Sequence, residues 1–312
     1  MSDSSGSSSS PPSSNGTSSS SSPGANGLRD LPVLDGSAAN GPRGEELRAL
    51  SVEDLRKRLS RVMLRTVVDY GLIEDGDRLL VAVSGGKDSY TLLDLLWRAK
   101  KKSPVKFDLI AFHLDQQQPG YDGSPLRSWL EDSGIPFRIH SEDTYTAVKA
   151  LTGGNDKTFC APCSRLRRGI LYTWAERLEC NKIVLGHHRE DTLETLLLNL
   201  LYSGKLQAMP ASYRTNDDRF DVIRPLIQCS EEEIALYAKH CKYPILPCNL
   251  CGSQEGLKRE KVADLLKNLE RELPDVRQVM MAALRNVRPT HLLDREVTEA
   301  WVHESDKYEK RR

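Results

Sequence analysis

The sequence predicts an α/β fold, a parallel sheet covered by helices on both faces, followed by a small C-terminal helical region. Three observations carry this. Short apolar runs alternate with amphipathic stretches through the middle of the chain, the pattern of successive strand–helix units. One run, Leu79-Leu80-Val81-Ala82-Val83, breaks into Ser84-Gly85-Gly86 and then a helix-forming stretch, the kind of strand-to-helix turn found in open parallel sheets. The residues able to do chemistry fall just after strands or in long connections, which gathers them on one rim of such a sheet.

In chain order, residues 1–45 read as a disordered tail. Fourteen of the first 22 residues are serine, too little apolar surface to offset the entropy of ordering. The tail lacks the basic start and apolar centre of a secretory signal and the arginine richness of a transit peptide. One folded domain is expected over 46–255 and a helical extension over 256–312. Ser51, with Asp54 three residues on, opens a helix whose apolar stripe is Leu55, Leu59, Met63, Val67 and Val68, ending at Gly71.

Strands are expected at about 79–83, 107–114, 136–140 and 182–186. Helices are expected at 90–102, 125–133 and 164–178. A helix over 190–201 carries Leu193, Leu196, Leu197, Leu200 and Leu201 as core positions. Ser230-Glu231-Glu232-Glu233 predicts a capping box for a helix running to about Lys242. Residues 257–269 and 274–287 read as the helical appendage, and no internal repeat is present.

The run Ser84-Gly85-Gly86-Lys87-Asp88-Ser89 has the chemistry of a phosphate cradle. Its glycines let the backbone approach an anion with no Cβ in the way, and the N–H groups opening the next helix face that anion with the helix dipole behind them. Ser84 and Ser89 offer hydroxyl donors, Lys87 a positive charge, and Asp88 a carboxylate for Mg²⁺. The Walker spacing, Gly-x-x-x-x-Gly-Lys followed by Ser or Thr, does not occur. The loop instead resembles the PP-loop of the ATP pyrophosphatases, and that resemblance implies ATP split to AMP and pyrophosphate to adenylate a carbonyl oxygen.

Seven cysteines are present, four of them in the pairs Cys160-Ala161-Pro162-Cys163 and Cys248-Asn249-Leu250-Cys251. With no apolar run long enough to span a bilayer, such pairs read as soft-metal ligands in a reducing cytoplasm sooner than as disulfides. Four thiolates suit a structural Zn²⁺, whereas three leave an iron–sulfur cluster with an open iron, and spacing does not choose between them. Cys180, Cys229 and Cys241 stand singly and read as core packing.

The 44 Lys and Arg balance 44 Asp and Glu, so there is no global nucleic-acid signature, and an RNA partner must meet local basic patches. The candidates are Arg98 to Lys102, the cluster Arg165, Arg167 and Arg168, and Lys258-Arg259-Glu260-Lys261. The middle cluster adjoins the first cysteine pair and is the strongest of them.

Together with the phosphate loop, three segments resemble the tRNA 2-thiocytidine synthetase family over about residues 48 to 295. They are Cys160 to Gly169, Leu185-Gly186-His187-His188-Arg189-Glu190-Asp191-Thr192-Leu193-Glu194-Thr195, and Pro247 to Gln254. The resemblance implies a PP-loop ATPase fold of the Rossmann-like, HUP type. It also implies ATP- and Mg²⁺-dependent thiolation of cytidine 32 in the tRNA anticodon loop, a [4Fe–4S] cluster, a cysteine desulfurase as sulfur donor, and a homodimer.

Carried over residue by residue, it assigns Ser84, Gly85, Gly86, Lys87, Asp88 and Ser89 to ATP, and Cys160, Cys163 and Cys251 to the cluster. Cys251 is chosen over Cys248 because related thiouridine-forming enzymes place the last ligand just before a short polar turn, here Gly252-Ser253-Gln254. Those relatives carry a lysine where this chain has Arg167, which stays protonated and so stabilises charge instead of acting as a base.

Asp191 is the acid/base or metal-orienting candidate, and His187 and His188 are expected to orient neighbours or contact phosphate. Asp115 either meets the ribose or Mg²⁺, or ends its strand. Two other readings stand beside this one: a PP-loop tRNA-modifying ligase without a metal centre, and a zinc-stapled nucleic-acid-binding module.

Overall fold

The computed structural model describes residues 44–151, 160–246 and 254–309. The chain divides into two units, Met1–Gly41 and Pro42–Arg312, and every described residue belongs to the second. The serine-rich run, Cys248 and Cys251 lie outside the described residues.

The elements before the fourth strand are α1 (Glu45–Arg48), α2 (Val52–Asp69), β1 (Arg78–Ala82), α3 (Lys87–Lys100), β2 (Asp108–Asp115), α4 (Ser124–Ser133), β3 (Phe137–Ser141), α5 (Thr144–Leu151) and α6 (Cys160–Arg177). Then come β4 (Lys182–Val184), α7 (Arg189–Tyr202), β5 (Ser212–Arg214), β6 (Asp221–Ile223), α8 (Glu231–Cys241), α9 (Gln254–Glu272), α10 (Val276–Arg285) and α11 (Arg295–Glu309). Among the described residues one six-stranded sheet runs β3-β2-β1-β4-β6-β5, with only β5 antiparallel to its neighbour.

The period-2 alternation of the strands divides the core. Leu79, Val81 and Val83 face one layer with Leu109 and Ala111, covered by Leu55, Leu59 and Met63 of α2, Leu92 and Leu96 of α3, Leu126 of α4 and Ile234 of α8. Leu80, Phe112, Ile183 and Val222 face the other layer, against Ala175 and Trp174 of α6 and the buried Cys180. Helices on both faces of a mostly parallel sheet are the predicted class. Leu55, Leu59 and Met63 are each fully buried, worth about 2 kcal/mol apiece. Ser51 caps α2 as expected, its Oγ accepting from the Asp54 amide at 3.1 Å.

Several local expectations need correction. The Ser230 side chain makes no capping hydrogen bond; the Glu231 amide donates to Glu190 Oε2 at 2.9 Å instead. Glu233, which would have completed the box, accepts from Arg58 Nε and Nη2. On α7, Leu193, Leu196 and Leu197 are buried, but Leu200 and Leu201, which continue the same stripe into the last turn of the helix, are exposed. Leu193 and Leu197 meet Val262 and Leu266 of α9, so the C-terminal helices share a small core with α7. No sequence expectation covers α1, α5, β5 or β6, while α11 falls within the expected helical extension over 256–312.

β1 lies between β2 and β4: the chain runs outward through β2 and β3, then crosses back to β4 on the other side of β1. Such a switch point opens a crevice at the carboxyl ends of the strands. The phosphate loop follows β1, and the His187–Asp191 segment follows β4.

Candidate active site

At the end of β1 the Val83 amide donates to Phe112 O at 2.8 Å, and the chain then turns through Ser84, Gly85 and Gly86 into α3. Gly85 takes φ +84°, a left-handed value that favours glycine. Gly86 caps α3 without any side-chain hydrogen bond, leaving the first-turn N–H groups open toward the cleft, as anion binding requires.

The Ser89 hydroxyl is buried within the loop. It accepts from the Ser84 amide at 3.2 Å and donates to Gly86 O at 2.9 Å. Ser89 therefore braces the cradle, and Ser84 is the hydroxyl better placed for a phosphate. Lys87 Nζ sits 3.1 Å from Asp88 Oδ1 and 3.0 Å from Glu231 Oε1. Burial works against the ammonium, but the Asp88 and Glu231 carboxylates outweigh it and raise the lysine pKa. Asp88 Oδ1 is buried with no hydrogen bond of good geometry, an acceptor that suits Mg²⁺.

The segment after β4 packs directly on this loop. A Cβ on Gly186 would lie 3.2 to 3.3 Å from the backbone of Asp88 and Ser89, so glycine permits the approach. His188 caps α7, its amide donating to Asp191 Oδ2 at 3.0 Å. Its Nε2 lies 3.6 Å from both Asp88 Oδ1 and Asp191 Oδ2, and its Nδ1 lies 3.4 Å from Glu190 Oε2. Burial disfavours the imidazolium, but Glu190, Asp191 and Asp88 together raise its pKa.

Glu190 is buried and ties α7 to α8. Arg189 Nε and Nη2 donate to its Oε1 at 2.9 and 2.6 Å, and the first amide of α8 donates to its Oε2. Although burial alone would raise its pKa, His188 and Arg189 hold it down to about 2. His187 differs from its neighbour: burial pushes its pKa down to about 4, and its Nδ1 accepts from Arg224 Nε at 3.1 Å.

A cleft of about 540 Å³ opens over these groups, lined by Ser84, Asp88, Gln116, Arg167, His187 and Asp191 among others. Arg168, Tyr213 and Arg224 also line it. Cys163 stands beside it, Sγ 3.4 Å from Gln116 Oε1. Cys160 begins α6. The segment preceding the second cysteine pair is tied to the phosphate loop, with the Leu246 amide donating to Gly85 O at 2.9 Å and the Tyr90 hydroxyl to Pro244 O at 3.0 Å. This rim brings one thiol, Cys163, a soft-metal donor, beside the phosphate loop, together with the Asp88 carboxylate, a hard oxygen donor of the kind Mg²⁺ takes, whose Oδ1 stands 3.1 Å from Lys87 Nζ.

Of the other candidates, Asp115 is absorbed locally. It accepts from the Gln117 amide at 2.8 Å and the Ser141 hydroxyl at 3.0 Å, closing the ends of β2 and β3. Arg98 to Lys102 lies at the far end of α3, about 20 Å from the loop at 1.5 Å per residue. There Arg98 pairs with Asp94 and Lys100 with Asp108. Arg259 pairs with Glu194 and reaches Asp191 at 3.6 Å. Cys180 and Cys229 are buried, and Cys241 packs against the main core.

Sequence reasoning missed Tyr213, on the three-residue strand β5, and Arg224, just past the three-residue strand β6. It also missed His113, whose Nδ1–H donates to Val83 O at 2.7 Å and steadies the strand end. The apolar flanks of His113 were the only signal.

Residues 55–246 match the PP-loop domain family. The tRNA-cytidine(32) 2-sulfurtransferase of Paracidovorax citrulli is 49% identical over 240 residues, covering 77% of this chain and 77% of the relative. That of Sorangium cellulosum is 51% identical over 240 residues, covering 77% and 84%. Among solved structures, the U34-tRNA thiolase NcsA from Methanococcus maripaludis with its [4Fe-4S] cluster shares the fold at TM-score 0.58 and 23% identity, covering 76% of this chain and 81% of that one. With half of its aligned residues identical to these sulfurtransferases and a PP-loop domain at its centre, this chain belongs to the tRNA-cytidine(32) 2-sulfurtransferase family.

Proposed function

We propose that the chain adenylates the C2 carbonyl oxygen of cytidine 32 in tRNA with ATP and replaces that oxygen with sulfur, giving 2-thiocytidine. The observation that carries this reading is convergence in one cleft. The phosphate loop, the Cys163 thiol beside Gln116, and the arginines Arg167 and Arg168 all meet there.

The chemistry needs each part. A cytosine C2 carbonyl is a poor electrophile, and adenylation turns its oxygen into part of the leaving group AMP. Ser84, Gly85, Gly86, Lys87 and Asp88 hold the triphosphate, and the open amides of α3 with the Lys87 ammonium stabilise charge on departing pyrophosphate. Ser89 keeps the loop in that shape. Asp88 would hold Mg²⁺, which neutralises phosphate charge when bound. Cys160, Cys163 and Cys251 would hold a [4Fe–4S] cluster, which supplies a positioned sulfur nucleophile when bound. Asp191, fixed by the His188 amide and near Arg259, takes the proton carried in by the sulfur. Arg167 and Arg168 bind the anticodon-loop phosphates at the mouth.

A cysteine desulfurase would supply the sulfur, and the enzyme would work in the cytoplasm as a homodimer. No helix among the described residues is long and apolar enough to cross a membrane. Anaerobic purification tests the cluster. A brown protein whose visible absorption depends on Cys163 supports the reading; a colourless protein holding zinc on four cysteines overturns the open-iron chemistry.

A further inference from the structure

The wall of the cleft formed by β5 and β6 carries an unusual pair. Arg224 is 7% exposed, yet among the described residues no carboxylate forms an ion pair with it. Its Nη1 donates to Pro210 O at 2.9 Å, its guanidinium lies 5.1 Å from the Tyr213 ring, and its Nε donates to His187 Nδ1 at 3.1 Å. A guanidinium has no acceptor atom. His187 Nδ1 must therefore be the lone-pair nitrogen, and the neutral ring carries its proton on Nε2. That Nε2–H has no hydrogen-bond partner among the described residues, and His187 lines the cleft.

Tyr213 and Met209 line the same wall, a flat apolar surface suited to a base turned out of its stack. Asp191 lines the same cleft, and phosphate is already served by the loop after β1.

We propose that Arg224 and His187 read the target base as cytosine: Arg224 fixes the imidazole tautomer, and His187 Nε2–H donates to the pyrimidine N3. This deepens the proposed thiolation and rests on it. Cytosine N3 is an acceptor, whereas uracil carries a hydrogen there and would set two donors face to face. A site that leaves such groups unpaired rejects the wrong ligand strongly. Donation to N3 also withdraws electrons from C2, where sulfur adds. His187 touches substrate in this account, and Arg224 is a positioning residue.

The test uses the reconstituted holoenzyme with ATP, Mg²⁺ and inorganic sulfide on two transcripts differing only in C32 or U32. Wild type should favour C32 by roughly 100-fold or more in kcat/KM. Because a glutamine amide turns to offer donor or acceptor, H187Q should cut that ratio about tenfold or more while still thiolating. R224K, which still donates to Nδ1, should keep most of the ratio, whereas R224L should lose it.

Thermal melts identify a variant that fails to fold, and the two His187 and Arg224 series then stand in for each other. Unchanged C32 preference in both H187Q and R224L, or a rise in the KM for ATP alone, overturns the inference. Wild type that leaves C32 unmodified overturns the thiolation reading itself.

Discussion

The backbone amide of Leu246 donates to the carbonyl of Gly85 at 2.9 Å. One bond thus fastens the segment leading to the second cysteine pair onto the apex of the phosphate loop. A substituent on Gly85 would meet the Leu246 side chain at 2.7 Å, so the two segments are packed as well as hydrogen-bonded. In the proposed reaction, adenylation of the C2 oxygen and addition of sulfur at C2 fall on one carbonyl group, and this contact would hold the segments proposed to support them together.

Lys87→Ala or Asp88→Ala should abolish ATP-dependent thiolation and leave the iron–sulfur absorption intact. Both residues stand on the phosphate side of the cleft, with Lys87 tied to Asp88 and Glu231. Retained thiolation in the Asp88 variant would remove this loop from the mechanism.

Gly186→Ala should hurt binding more than its size implies. The new methyl would press on the backbone of Asp88 and Ser89 at 3.2 to 3.3 Å, where no flexible side chain can yield. A loss of about 1–2 kcal/mol in a thermal melt is expected, with about a tenfold fall in kcat/KM for ATP as the loop shifts. Wild-type ATP kinetics would show that the approach is not tight.

Cys160→Ala, Cys163→Ala and Cys251→Ala should each lose iron and activity, whereas Cys180→Ala, Cys229→Ala and Cys241→Ala should keep both. Cys180 and Cys229 are buried thiols whose pKa burial raises, which makes them poor thiolate ligands. Cys248→Ala separates the two members of its pair. Iron retained in Cys251→Ala but lost in Cys248→Ala would transfer the third position to Cys248.

Glu190 predicts an acid limb in stability. Its folded pKa is depressed from 4.5 to about 2, so its contribution is present above pH 4.5 and is lost as pH falls toward 2. The shift is worth on the order of 3 kcal/mol. Glu190→Gln should destabilise the protein at pH 7, and its deficit should shrink as wild type is titrated from pH 4.5 downward by chemical denaturation. A constant deficit across that range would mean the carboxylate charge is not what joins α7 to α8.

Much of this was legible in the chain. The alternating strands β1 to β4 are apolar enough to announce themselves, and Ser84 to Ser89 states its chemistry through residue types in a fixed order. β5 and β6 were hidden because three residues, Ser212-Tyr213-Arg214 or Asp221-Val222-Ile223, are too few to show a period. With them went Tyr213 and Arg224. The Ser230 box failed for another reason: Arg58, 175 residues from Glu233 in sequence, takes the Glu233 carboxylate that local pattern assigned to the Ser230 amide. Leu200 and Leu201 carry the helical apolar pattern yet are exposed, since pattern alone does not reveal that the core packed on α7 stops before its last turn.

The most direct measurement counts products on a tRNA transcript bearing C32, using anaerobic holoenzyme with ATP, Mg²⁺ and sulfide. The account predicts 2-thiocytidine at position 32, with one AMP and one pyrophosphate released for each sulfur inserted. ADP and phosphate as the nucleotide products, or 2-thiocytidine formed without ATP cleavage, would contradict it.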